Sequence, residues 1–259
     1  GVPIDAITLQ NEPHFEPPDY PGMRLDAAAR SELIGRYVGP LFARRHPDTR
    51  ILEWDHNWDE PEEPLRVLAD PQAYDFVAGV AWHCYHGDVS AQSRVHDAFP
   101  DKLAFLTECS GGGWEPRGYD ALTAMTANLL VGGTRHWASG VVLWNLVLDP
   151  QSGPHLGGCT DCRGLVTLDR RSGRLTRNPE YYALAHFSRF LRPGARRVQS
   201  SPGVAGLANV AFRNTDGTVV LVLVNTAHRQ QRVAARVHER GFTAMLPALS
   251  VATIVMPAD

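Results

Sequence analysis

Two glutamates stand where apolar runs break off. Ile4-Asp5-Ala6-Ile7-Thr8-Leu9-Gln10 leads into Asn11-Glu12-Pro13, and Leu103-Ala104-Phe105-Leu106-Thr107 leads into Glu108. A strand that ends in an acid presents a carboxylate at the rim of a sheet, where two of them can share one substrate. A single Glu in that place is more often a helix cap or a solvated loop residue. Glu12 resists that reading, because Asn-Glu-Pro sets an amide donor beside the acid and the proline fixes the following turn. Cleaving an acetal needs a proton for the leaving oxygen and stabilisation of an oxocarbenium-like centre, and two carboxyl groups in unlike surroundings supply both. A separation of about 5 Å predicts retention through a covalent intermediate, whereas about 6.5 to 9.5 Å predicts inversion. This chemistry calls for no cofactor and no metal.

Such acids must be positioned by a scaffold, and the chain repeats one pattern five times. Apolar runs at Ile4 to Leu9, Arg50 to Trp54, Phe76 to Trp82, Leu103 to Thr107 and Gly140 to Leu143 each stop at polar or aromatic residues and lead towards a helix-like stretch. Continuous rather than alternating hydrophobicity fits strands buried on both faces of a parallel sheet. The intervening sequences predict helices over residues 26–45, 61–68, 91–99, 120–130 and 179–191, the last with Asn178 at its cap and Pro179 in its first turn. The expected class is α/β, a (β/α)8 TIM barrel whose catalytic face is the strand-end side. Five units do not close a barrel of eight strands. The reading therefore expects about strands four to eight here, with the amino-terminal half of the barrel lying before Gly1 or supplied by another chain, and little activity from the 259 residues alone.

After Pro193-Gly194 the texture changes to short alternating strands: Val204 to Arg213, Val219 to Asn225, Gln231 to Val237 and Ala248 to Met256, with Asn214-Thr215-Asp216-Gly217 as a hairpin turn. The expected domains are a partial catalytic barrel over 1–193 and a partial antiparallel β-sandwich over 194–259, its other strands upstream of Gly1.

A net charge of -3 argues against a nucleic-acid partner, and no apolar stretch is long enough to span a bilayer. A neutral small molecule or polymer remains as the partner. Seven arginines between residues 196 and 240 read as a solvated face and receive no function. Of the four cysteines, Cys84 and Cys109 directly follow His83 and Glu108, and Cys159 and Cys162 form a Cys-x-x-Cys. A zinc site would want further soft or imidazole ligands, so a local disulfide or two free thiols are the preferred readings of the latter pair.

Asn11-Glu12-Pro13, His83-Cys84-Tyr85, Phe105-Leu106-Thr107-Glu108, Leu143-Trp144-Asn145-Leu146 and Asn178-Pro179-Glu180-Tyr181-Tyr182 through His186-Phe187-Ser188-Arg189-Phe190 occur in the order seen in glycoside hydrolase family 30. The chain resembles the carboxy-terminal part of a glucosylceramidase-like member. The resemblance implies a barrel with a side β-sandwich built from both chain ends, and a retaining mechanism with Glu12 as acid/base on strand four and Glu108 as nucleophile on strand seven. By the same match Asn11 would donate to the sugar 2-hydroxyl, its rival role being a loop cap. His83 and Tyr85 would hold Glu108 ionised, Asp55 would line the pocket rim, Trp144 would face a pyranose ring or else pack in the core, and Asn145 would anchor the neighbouring loop. Trp58 is a candidate platform for a more distant sugar.

The match has departures. Animal glucosylceramidases commonly carry an aromatic where Cys84 stands, and the loop from Gly157 to Gly164 looks more like that of bacterial relatives. The expected substrate is thus a β-linked glycoside or glycolipid, with glucosylceramide first and β-1,6-glucan, β-xyloside and β-fucoside open. A secreted or extracytoplasmic bacterial protein is expected. Two other classes stay in view: a non-catalytic carbohydrate-binding relative, and a metal hydrolase using the Cys-x-x-Cys.

Overall fold

A computed structural model of the chain describes residues 1–115, 118–237 and 240–258. The chain forms two compact units, one of residues 1–109, 136–144 and 155–160, the other of residues 110–135, 145–154 and 161–259.

The first unit is built on five parallel strands. In spatial order they are β1 (Ala6–Thr8), β2 (Arg50–Asn57), β3 (Val77–His83), β4 (Leu103–Glu108) and the strand Ala138–Val141. Spatial order follows chain order, which is how a singly wound barrel lays down its strands. All five apolar runs became strands, with shifted ends. β1 is shorter than expected because Ile4 is exposed. β2 and β3 run further than expected, through Asp55-His56-Asn57 and to His83, all of them buried polar residues. Hydrophobic pattern alone ends a strand where polarity begins; here β2 continues past a register slip at Asp55, which pairs with His83 at the end of β3.

Close strand contact depends on Gly79, paired with Leu103. A Cβ at Gly79 would lie 2.3 Å from the Leu103 carbonyl oxygen, so no larger residue fits without parting β3 from β4. On the outer side of the sheet, Asp26 caps the helix Ala27–Glu32 by accepting from the Ala29 N–H at 2.8 Å. That helix carries Arg30, which is 1% exposed and donates to Glu53 of β2 at 2.8 Å and to Glu63 of the helix Glu62–Leu68 at 3.1 Å. Its guanidinium also lies 5.1 Å from the Trp54 ring. This buried ion network ties two helices to the strand that delivers Asp55.

The second unit contains a four-stranded antiparallel sheet in the order Arg196–Val198, Leu207–Arg213, Val219–Asn225 and Ser250–Met256, and a hairpin of Gln231–Val237 with Arg240–Leu246. Leu221, Leu223, Val233, Ala211 and Leu246 form their shared core. The turn at 214–217 closes as expected, with Gly217 at φ 85° donating its N–H to the Asn214 carbonyl at 3.0 Å. Within this sheet and hairpin, the strands Arg196–Val198 and Arg240–Leu246 were not legible in the sequence. The helices Tyr119–Met125 and Pro179–Ser188 also belong to this unit. Among the described residues no helix is long and apolar enough to cross a membrane.

Candidate active site

The site in the first unit is organised by one imidazole. His83, at the carboxy-terminal end of β3, is fully buried. Its Nδ1 lies 3.0 Å from Glu12 Oε1, and its Nε2 lies 3.1 Å from Asp55 Oδ1 and 4.0 Å from Glu108 Oε2. Three strand ends thus bring three carboxylates onto a single ring. Burial by itself disfavours a charged imidazole, but the hydrogen bonds to Asp55 and Glu12 and the charge of Glu108 outweigh it and raise the His83 pKa to about 9. His83 is therefore a cation at neutral pH.

Asp55 is held as an anion. Burial pushes its carboxyl up, yet it accepts from His83, from the Thr8 hydroxyl at 2.5 Å and from the Thr107 hydroxyl at 2.7 Å, and the net shift is downward. Glu108 sits differently. Burial raises its pKa, and the pull of His83 and a hydrogen bond donated by the Tyr85 hydroxyl at 3.0 Å only partly offset this, with Glu12 and Asp55 adding repulsion.

Local backbone geometry serves this convergence. Glu12 (φ 48°), Trp54 (φ 76°) and Asp55 (φ 63°) all occupy the left-handed region, and the Glu12 N–H donates to the Asp55 carbonyl at 3.0 Å. The β2–β3 register slips between Trp54 and His56. Such conformations cost about 1–3 kcal/mol each and persist where surrounding contacts over-determine them. Here the slip aims Asp55 at His83.

The residues expected from sequence divide into three groups. Glu12, Asp55, His83, Tyr85 and Glu108 form one hydrogen-bonded cluster. Asn11 is exposed immediately before Glu12, and Trp144 is 37% exposed three residues past the last strand, its N–H bonded to the Cys109 carbonyl at 2.8 Å. Asn145 falls in the second unit, at φ 81°, where its side chain accepts from the Val147 N–H at 3.2 Å. Trp58 is not a platform. It is 6% exposed and its indole N–H donates to Gln92 at 3.1 Å, which makes it a core residue.

Four participants escaped the sequence reading. Thr8 and Thr107 look like ordinary strand residues, and only the fold turns them onto Asp55. His56 is buried, with Nδ1 3.7 Å from Glu12 Oε1 and no hydrogen-bond partner for that atom. Burial lowers its pKa, Glu12 opposes this and the His83 charge reinforces it, so the ring is the neutral neighbour of a cationic one. Tyr20 is exposed, and its phenol pKa is raised by partial burial and by the charges of Glu12, Glu108 and Asp19. The run of polar and aromatic residues after Glu12 was the one available signal for it.

Cys84 and Cys109 form a disulfide with Cα atoms 5.4 Å apart. Cys159 and Cys162 are also disulfide-bonded, which agrees with oxidation rather than free thiols. Among the described residues two groups have donor atoms close enough to share a cation, Glu12 with His56 and His83, and His14 with Glu60 and Glu63. In both, the donors already pair internally, as in His83 to Glu12 at 3.0 Å and His14 to Glu60 at 2.8 Å.

Parallel strands in sequential order, with carboxylates gathered at their carboxy-terminal ends, are the sheet and site layout of a (β/α)8-barrel enzyme class. The chain belongs to glycoside hydrolase family 30. Residues 3–191 match the Glycosyl hydrolase family 30 TIM-barrel domain, and residues 194–254 match the Glycosyl hydrolase family 30 beta sandwich domain. The Endo-1,6-beta-D-glucanase neg1 of Aspergillus fumigatus is 37% identical over all of this chain and 53% of its own length. The Lysosomal acid glucosylceramidase of Mus musculus is 28% identical over 87% of this chain and 46% of its own. A solved endo-beta1,6-glucanase superposes with a TM-score of 0.92 at 29% identity, covering 99% of this chain and 59% of that one. The chain thus spans about half the length of the curated relatives it matches.

Proposed function

We propose that these residues form the catalytic half of a retaining β-glycoside hydrolase that cleaves β-1,6-linked glucan. Glu12 is the general acid/base and Glu108 the nucleophile. The observation that carries this is the shared imidazole: Glu12 and Glu108 approach the two nitrogens of His83 at 3.0 and 4.0 Å, so both carboxylates gather on one ring. Glu108 attacks the anomeric carbon while Glu12 protonates the departing oxygen; Glu12, now ionised, then deprotonates the water that releases the sugar. The His83 cation compensates the negative charge in the cluster, Tyr85 orients Glu108, Asn11 addresses the 2-hydroxyl, and Trp144 offers a ring face to the pyranose.

The substrate reading rests on relatives. Endo-1,6-glucanases match the whole chain at 35–37% identity, against 28–30% over 87% for the glucosylceramidases. This moves β-1,6-glucan ahead of glucosylceramide. The three glucanases come from fungi, so a bacterial source gains no support from them. The Cys84–Cys109 disulfide beside the site favours an oxidising, extracytoplasmic setting.

Among the described residues the five strands do not close a barrel, and the 259 residues alone are expected to turn over little substrate. The test uses these residues within a complete family barrel. Glu108→Gln should abolish hydrolysis of β-1,6-glucan, and Glu12→Gln should recover on aryl glucosides with good leaving groups. Equal, unrescued loss in both variants refutes the assigned roles. Faster cleavage of glucosylceramide, aryl xyloside or aryl fucoside than of the glucan refutes the substrate. A protein that binds glucan but takes no covalent label from a 2-fluoroglucoside is a carbohydrate-binding relative instead.

A further inference from the structure

The Cys84–Cys109 disulfide lies inside the catalytic sequence itself. Cys84 separates His83 from Tyr85, and Cys109 directly follows Glu108. His83 and Glu108 are the last register partners of β3 and β4, after a slip at Trp82/His83. The bond therefore begins one residue beyond the point where the backbone ladder stops holding these two strands together.

Contacts to the reacting groups radiate from this junction. On the Cys84 side, His83 reaches Glu12 at 3.0 Å and Tyr85 donates to Glu108 at 3.0 Å, while the Tyr85 N–H donates to Asn57 Oδ1 at 3.0 Å. On the Cys109 side, the Cys109 carbonyl receives the Trp144 N–H at 2.8 Å. Cys109 is 3% exposed, so its backbone has little freedom while the bond is intact. Without it, Tyr85 and Glu108 stand on neighbouring strand ends, linked by their hydrogen bond and by a β3–β4 ladder that stops at His83 and Glu108.

We propose that the Cys84–Cys109 disulfide is a positioning device that clamps the Tyr85–Glu108 pair, so that oxidation of these cysteines sets the alignment of the nucleophile. The inference rests on Glu108 being the nucleophile. Loss of the clamp weakens a hydrogen bond that opposes the burial-driven rise in the Glu108 pKa, so the carboxylate becomes both misaligned and easier to protonate.

The test uses the active protein with Cys159→Ser and Cys162→Ser, which leaves Cys84–Cys109 as the one disulfide among these 259 residues. Dithiothreitol supplies two electrons and two protons, becomes a cyclic disulfide, and leaves Cys84 and Cys109 as thiols. The readouts are the rate at which a 2-fluoroglucosyl fluoride labels Glu108, kcat and KM, the pH profile of kcat/KM, and circular dichroism for the fold. Reduction should slow labelling by at least about tenfold, lower kcat with little change in KM, and move the acid limb to higher pH; reoxidation should restore all three. Cys84→Ala/Cys109→Ala should behave like the reduced protein and ignore dithiothreitol. Unchanged labelling and pH profile in the folded reduced protein overturn the inference. Unfolding of both the reduced protein and the double variant also overturns it, since the bond would then hold the fold at large. An oxidised protein that takes no label refutes the nucleophile assignment, and the clamp falls with it.

Discussion

His83 should make stability depend on pH between about 6.5 and 9. Its folded pKa of about 9 stands above the 6.5 of an unperturbed imidazole, so the folded state holds the proton more tightly than the unfolded chain. A proton held at about 9 rather than 6.5 corresponds to roughly 3 kcal/mol of stabilisation, and the ring is fully buried, so solvent screening takes little from it. Because the folded pKa is raised, this contribution is complete below pH 6.5 and is lost as pH climbs through 9. The assay is urea denaturation of the wild-type chain and of His83→Gln at pH steps from 6 to 10. The difference between the two should be largest at pH 6 and shrink by about 3 kcal/mol by pH 10, while titrations outside the His83 cluster cancel. A wild-type advantage that stays constant across the range refutes a charged His83 as the centre of the cluster.

Other expectations follow from single contacts. Tyr85→Phe removes a hydrogen bond to a charged partner, worth about 1.5–3 kcal/mol, so the acid limb of kcat/KM in the active protein should rise by roughly one to two pH units. An unshifted limb would separate Tyr85 from Glu108. Arg30→Met leaves Glu53 buried without its cation and should cost about 3–5 kcal/mol in urea denaturation, most of it recovered in Arg30→Met/Glu53→Met. A double variant as unstable as the single would mean that packing, not charge, dominates there. Gly79→Ala forces β3 from the Leu103 carbonyl and should cost at least about 2 kcal/mol, with amide exchange fastest along the β3–β4 ladder.

Much of this was legible along the chain because it rests on local pattern. Continuous apolar runs announced all five parallel strands, the turn at 214–217 announced its hairpin, and the acids at run ends announced Glu12 and Glu108. Asp55, His83 and Tyr85 came from order along the chain and from resemblance. What the sequence by itself determined, then, was the strand order, the family and the pair of carboxylates, since burial periodicity and turn chemistry act over a few residues at a time. Only the tertiary structure decided that β2 slips its register at Asp55 in a left-handed conformation, that Thr8 and Thr107 turn onto that residue, that Trp58 packs inward, and that Cys84 meets Cys109. It also decided the charge of His83, because a pKa depends on which groups crowd a ring in space, and the carboxylates of Glu12, Asp55 and Glu108 reach that ring from 71, 28 and 25 residues away.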